Sequence, residues 1–231
     1  MGKRIIQQAR GKGSLSYRVR KQAYKYKVGY PHQKGEAVID KIMHSPAHTA
    51  PLIKFRIGNE FFYNPSFNGA IEGEKITVGG EDIKEGNIIS LRNIPVGSRI
   101  FNIEKNPGDG GKMIRVSGSS AFVNKKYDYN KIGVIMPNKK EIILVGDCRA
   151  TIGIIAGEGR KQKPFMKAGR KHYKMKTRNK LWPRTSAVKF NAIDHPFGSG
   201  RGKRIKPKIA KRNAPPGAKV GHIRARRTGR R

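Results

Sequence analysis

Between residues 36 and 155 apolar and polar positions alternate in short runs. Ile53, Phe55 and Ile57 are separated by Lys54 and Arg56, the two-residue period of a strand with one buried face. Runs of the same kind follow at 61–63, 75–78, 87–91, 99–103, 113–116, 132–136, 141–145 and 150–155. Turn chemistry separates them: Gly58-Asn59, Asn64-Pro65, Gly79-Gly80, Gly86-Asn87, the run Asn106-Pro107-Gly108-Asp109-Gly110-Gly111, and Pro137-Asn138. Short strands at this spacing predict an all-β fold of small barrels or sandwiches. The patterned stretch is longer than one small barrel needs, so it predicts two in tandem. Asn93-Ile94-Pro95-Val96-Gly97 reads as the connector. No long amphipathic helix stands out.

The flanks have a different texture. Residues 1–35 interleave lysine and arginine with Tyr17, Tyr24, Tyr26 and Tyr30, and from Phe190 onward the chain is rich in glycine, proline and arginine. Neither flank has the apolar content to fold alone. The pattern divides the chain into a basic N-terminal extension (1–35), a first barrel (36–92), a second barrel with a basic loop (93–190) and a glycine/arginine-rich C-terminal extension (191–231).

Charge sharpens this division. The 231 residues include 51 basic and 15 acidic side chains, a formal net charge of +36. Residues 1–35 hold ten basic and no acidic residues, 36–150 hold 16 and 13, and 151–231 hold 25 and two, Glu158 and Asp194. A nearly neutral body with cationic ends predicts a polyanionic partner. No apolar run is long enough for a membrane span, and the start lacks the apolar stretch of a secretory signal. Cys148 is the only cysteine, so no internal disulfide forms and no thiolate zinc cage is available.

Catalytic signatures are absent. Carboxylates such as Glu81, Asp82 and Glu85 sit in strand–turn positions that read as solvated. Gly111-Lys112 and Gly202-Lys203 lack the first glycine and the following Ser/Thr of a phosphate loop. His44 and His48 are separated by Ser45-Pro46, which argues against one helix face and a shared metal. The sequence therefore predicts no metal site and no enzyme.

Nucleic-acid binding accounts for more. Residues 157–176 mix charge, glycine and aromatics; lysine and arginine neutralise phosphates, and Phe165, Tyr173 and Trp182 offer faces to unpaired bases. For Trp182, stacking on a base and closing the end of a barrel stand as equal readings. The flank tyrosines, with no local core evident, are expected to meet RNA. The basic surface is spread over tails and loops without a recognition helix, which favours RNA over duplex DNA. A DNA-binding or transcription-associated protein is the competing reading, and a nucleic-acid enzyme with a dispersed site is the third.

Five pieces in order resemble one family. They are residues 93–97 followed by Asn106-Pro107-Gly108-Asp109-Gly110-Gly111-Lys112, then 147–153, 163–169, Asn191-Ala192-Ile193-Asp194-His195-Pro196-Phe197-Gly198, and 212–221. Together they are similar to the universal large-subunit ribosomal protein family L-two, of the archaeal and eukaryotic-cytosolic type. The resemblance implies an OB-like barrel followed by an SH3-like barrel, with extensions buried in ribosomal RNA. It implies support of the peptidyl transferase region, subunit association and translation in the cytoplasm. Implied partners are large-subunit rRNA and neighbouring large-subunit proteins, with the small subunit and tRNA met indirectly. No membrane, homo-oligomer or cofactor is expected, beyond Mg2+ accompanying the RNA.

The family's histidine loop is Asp194-His195-Pro196-Phe197-Gly198-Ser199-Gly200 here. Phe197 stands at the second histidine position and Ser199 interrupts the glycine run, so no second imidazole shares proton work. His195 is therefore expected to be structural or to contact RNA rather than to transfer a proton. The residues expected to meet RNA are Arg10, Lys12, Tyr17, Arg18, Arg20 and Lys21 in the first flank. In the basic loop they are Arg160, Lys161, Lys163, Lys167, Arg170, Lys174, Lys176 and Trp182. Beyond it they are His195, Gly198, Gly200, Arg201, Arg204, Arg212, Lys219, Arg224, Arg226 and Arg227.

Overall fold

A computed structural model describes residues 2–200 and 209–225. Alternating side chains and glycine turns carry the chain through ten strands: β1 (Gly35–Met43), β2 (Leu52–Ile57), β3 (Glu60–Pro65), β4 (Lys75–Val78), β5 (Ile88–Ser90), β6 (Arg99–Phe101), β7 (Ala121–Tyr127), β8 (Lys131–Ile135), β9 (Glu141–Val145) and β10 (Arg149–Ile152). They form one sheet in the order β3-β2-β1-β4-β5-β10-β6-β7-β8-β9. All pairings are antiparallel except β4 with β5. The short helix α1 (Ile6–Ala9) precedes the sheet and α2 (Ala168–Thr177) follows it. The two-residue strands β11 (Ile209–Ala210) and β12 (His222–Ile223) pair in parallel. The fold is all-β.

The chain divides into two compact units. One is made from the two ends of the chain, Met1–Val19 and Lys167–Arg231; the other is Arg20–Met166. The second holds two hydrophobic cores. The first core gathers Ile39, Ile53, Phe55, Phe62, Ile76 and Ile88 with Phe101 and Ile155. The other gathers Ile89, Leu91, Ile94, Ile100, Val123, Val134 and Cys148 with Ala150 and Ile152.

Neighbouring residues of one strand divide between these cores. Ile88 belongs to the first and Ile89 to the second, and Phe101 and Ile100 divide likewise. Successive side chains of a strand point to opposite faces, so β5 and β6 are walls shared by both cores. That is why 88–89 and 100–101 read as continuous apolar pairs.

Each predicted apolar run holds a strand except 113–116. There Ile114 has φ +54°, a conformation a β-branched side chain adopts only under constraint, and only Met113 bridges to Ile103. Two strands escape the pattern. In β1 the register shifts between Ile39 and Lys41, and in β7 between Val123 and Lys125. Each irregularity breaks the two-residue period on which the sequence reading depends.

A buried polar strip lies beside the first core. Asn102 donates to Asn64 Oδ1 at 2.7 Å, Asn64 donates to Thr151 Oγ1 at 2.9 Å, and Arg115 Nε donates to Asn102 Oδ1 at 2.7 Å. Tyr30 completes it, with its hydroxyl 2.6 Å from Asn102 O and 2.7 Å from Thr151 Oγ1. This corrects one expectation: Tyr30 is a buried anchor, not an RNA contact. Its phenol satisfies polar groups that the short strands leave over, and burial raises its pKa well above the usual tyrosine range. Ala23 is buried as well, its carbonyl accepting from Ala47 N.

Cys148 is fully buried in the second core, and burial pushes its thiol up to about 11. We expect an aqueous disulfide reagent at pH 8 to modify it only as fast as the protein unfolds. Immediate labelling of the native protein would contradict the core assignment.

Candidate nucleic-acid interface

The glycine-rich loop at 106–112 hangs on two carboxylates. Glu104 is fully buried and accepts the amides of Gly108, Gly110 and Arg149 at 3.3, 3.0 and 2.8 Å. It also pairs with the Arg149 guanidinium, Nη2 lying 2.9 Å from Oε1. Asp109 accepts the amides of Lys105, Asn106 and Gly111, and these bonds and Lys112 hold its carboxyl below the usual range despite partial burial. Gly111 sits at φ +80°, where a Cβ would overlap Asn102 O. Arg149 Nη1 donates to Pro31 O at 2.6 Å, and Arg115 donates to Gly111 O. The loop's backbone is thereby fixed while Lys105 and Lys112 stay exposed. The sequence marked this loop by its glycines but gave no sign of the buried Glu104–Arg149 pair beneath it.

Residues 157–166 run exposed along the same unit. Arg160 Nε donates to Ser117 Oγ at 3.1 Å, and Phe165 and Met166 are open to solvent.

The unit formed by the chain ends is electrostatically lopsided. It contains 27 of the 51 basic residues and one of the 15 acidic ones, Asp194. Lys3 takes that carboxylate, with Nζ 3.7 Å from Oδ1, and donates its backbone N–H to Ile193 O at 2.7 Å. Helix α2 has no acid in its first turn, and Lys174 and Lys176 lie in its last turn, where cations suit the negative end of the helix dipole. Lys171 Nζ lies 5.2 Å from the ring centroid of half-buried Trp182.

His195 sits where three cavities meet, of about 900, 490 and 520 Å3. The Phe197 amide donates to its Nδ1 at 3.1 Å. Nδ1 therefore carries no proton, and in the neutral ring Nε2–H is the donor. Phe190 stacks on the imidazole at 6.2 Å between centroids, and Phe197 lies tilted at 5.4 Å. Gly198 turns the loop where a Cβ would overlap the Asn191 carbonyl oxygen. Ser199 adopts φ +65° and donates its amide to Phe190 O at 2.9 Å, so a left-handed turn persists although serine interrupts the glycine run.

A family model described as Ribosomal Proteins L2, C-terminal domain, matches residues 84–217. The chain is 46% identical to the large ribosomal subunit protein uL2 of Archaeoglobus fulgidus, over 99% of both proteins. It is 43% identical to that of Korarchaeum cryptofilum, over 100% of this chain and 96% of the relative. With that of Methanococcoides burtonii it shares 44% over the full length of both. The chain belongs to the L2 ribosomal-protein family.

The L2 domain match takes in the 106–112 loop, helix α2 and the His195 loop. The expected contact residues fall into separate groups. Arg10 and Lys12 lie in a short 3-10 helix, with half-buried Tyr17 and exposed Arg18 following, all in the unit built from the chain ends. Arg20 and Lys21 are exposed on the other unit, as are Arg160, Lys161 and Lys163. Lys167 stands just before the first turn of α2 without a capping bond, and Arg170, Lys174 and Lys176 lie along the helix. Around the histidine, His195 and Gly198 come together with Lys219, which shares a cavity wall with the imidazole, while Gly200 is exposed. Arg212 Nη2 donates to Arg224 O at 3.1 Å. Arg201, Arg204, Arg226 and Arg227 lie outside the described residues. His48 Nδ1 is 2.7 Å from Ser45 Oγ, and no group of three or more His, Cys, Asp or Glu able to hold a metal occurs among the described residues.

Replacing Glu104 by Gln leaves the half-buried Arg149 guanidinium unneutralised. A loss of about 3 to 5 kcal/mol is expected in urea unfolding, and a loss below about 1 kcal/mol would remove the pair from the fold's foundations. Gly198→Ala should open the histidine turn. Hydrogen exchange at the Ser199 amide is expected to rise about ten-fold or more, and unchanged protection would refute the tight-turn reading.

Proposed function

We propose that this chain is a structural constituent of the large ribosomal subunit, bound to large-subunit RNA in the cytoplasm. The observation that carries the reading is the unit with 27 basic residues and one acidic one. Such a unit cannot neutralise itself, and phosphates spaced along RNA relieve its repulsion while releasing counterions. The curated relatives bear the name of a large-subunit protein, which gives that polyanion its identity.

In this reading the lysines and arginines of the chain ends and of the 157–176 stretch contact phosphates. The cross-braced 106–112 loop brings backbone close to the RNA at a fixed place, and neighbouring large-subunit proteins pack nearby. Mg2+ accompanies the RNA rather than a cage of the protein's own. The chain supports the peptidyl transferase region and subunit association by holding RNA in place, without catalysing a reaction. His195 serves as a donor through Nε2–H to a phosphate or ribose oxygen, its other nitrogen being engaged by Phe197.

Binding of the full chain to folded large-subunit RNA, measured across salt, tests this. Arg170 and Lys176 are exposed on α2. Changing both to Ala is expected to lower the slope of log K against log salt by about 1.4 to 1.8. An unchanged slope would remove α2 from the interface. Equal affinity for arbitrary duplex DNA, or failure to sediment with the large subunit in a lysate, would overturn the assignment.

A further inference from the structure

Phe61 is a ring that the core does not use. Alternation along β3 sends Phe62 inward, where it stacks on Phe55 at 4.9 Å, and leaves Phe61 on the outer face, 51% exposed. A single exposed phenylalanine would need no explanation, but this one has built surroundings. Lys54 Nζ lies 3.7 Å from its ring centroid and is held there by the Asp40 carboxylate at 2.6 Å. One ring face is thus occupied by a fixed cation. Phe61 also lines a cavity of about 740 Å3, a volume usual for small-ligand clefts, between β3 and residues 25–33. The far wall is tied to β3 by the Gly29 amide, which donates to Tyr63 O at 3.0 Å, and by the Tyr26 and Tyr63 rings, 5.0 Å apart. Lys25 and Lys27 stand on that wall. Glu60 is the one acid among the residues that line the cavity, against Lys25, Lys27 and His32.

We propose that this cavity seats one unpaired RNA nucleotide, its base on the ring of Phe61 and its phosphates against Lys25 and Lys27. The inference rests on the RNA-binding reading above and names a contact that reading lacks. A base carries a π face for the ring and a phosphate for the ammonium groups, whereas an acidic peptide would leave the ring unused. A paired base is already covered on both sides by its neighbours, so the free face of this ring meets a base that has left its stack. The cation behind Phe61 draws the ring's negative potential to one face and favours an electron-rich partner on the other.

The test uses the full chain with single-stranded oligo(U) carrying photoreactive iodouridine, and the labelled peptide is mapped by mass spectrometry. Labelling at Phe61 is expected. Phe61→Leu should reduce label in residues 60–63 about ten-fold, while total RNA retained and the melting temperature stay nearly unchanged. Phe61→Tyr should restore the label. Retained RNA with label elsewhere but none at Phe61 would overturn the proposal, as would equal labelling of Phe61 by duplex RNA. If the chain retains no RNA at all, the broader RNA-binding reading has failed and this proposal falls with it.

Discussion

Two cores share the same short strands, and the body of the protein depends on that arrangement. Strands β5 and β6 are three residues long each, and each sends adjacent side chains to opposite cores. Their backbone groups are met by neighbouring strands, β5 by β10 and β4 and β6 by β10 and β7, and Arg99 at the start of β6 still reaches solvent. The strip of Asn64, Asn102, Thr151 and Tyr30 pairs the buried polar side chains beside the first core with one another. Tyr30 reaches it from the chain before β1, so a stretch that looks like a cationic tail is pinned to the centre of the body.

Three carboxylates illustrate how sparingly acid is used. Glu104 neutralises Arg149 and gathers loop amides; Asp109 organises the turn above it; Asp194 meets Lys3. Most of the cations that remain lie on exposed loops, on α2 and on the chain ends. Exposed ion pairs such as Lys75–Glu36 add little to stability. The Glu104–Arg149 pair differs because Glu104 is fully buried and Arg149 only 16% exposed, so little water replaces a lost partner. The same distribution serves binding: the loop is stiff where acids brace it and positive where they are missing.

The sequence disclosed strands where one face is buried and the period of two is unbroken, as at β2 and β4. It concealed β1 and β7, whose register shifts displace the alternation by a residue, and it promised a strand at 113–116 that the left-handed Ile114 forbids. The tyrosines of the first flank looked alike, and only three-dimensional neighbours separate buried Tyr30 from exposed Tyr24. Helix α2 was hidden because its cations and exposed aromatics give no apolar stripe. Among candidate contacts, the charge-bearing stretches were legible because a run of cations needs no fold to be recognised. Phe61 was not, since its role depends on Lys54 and on residues 25–33 folding over β3.

These differences separate two kinds of grip on a nucleic acid. Contacts from long cationic segments add affinity for any phosphate chain, but they leave its register undetermined. Register has to come from groups whose positions are set before binding. Phe61, backed by a pinned ammonium on a paired strand, and the 106–112 loop, tied to Glu104 and Arg149, are such groups. Their side chains and backbone give up little freedom on binding, whereas each rotamer-rich lysine of the ends gives up more. A polyanion that fits both kinds at once must present an unstacked base at a fixed distance from a dense phosphate surface. A folded RNA with extruded nucleotides does so, and a regular duplex, with every base stacked, does not.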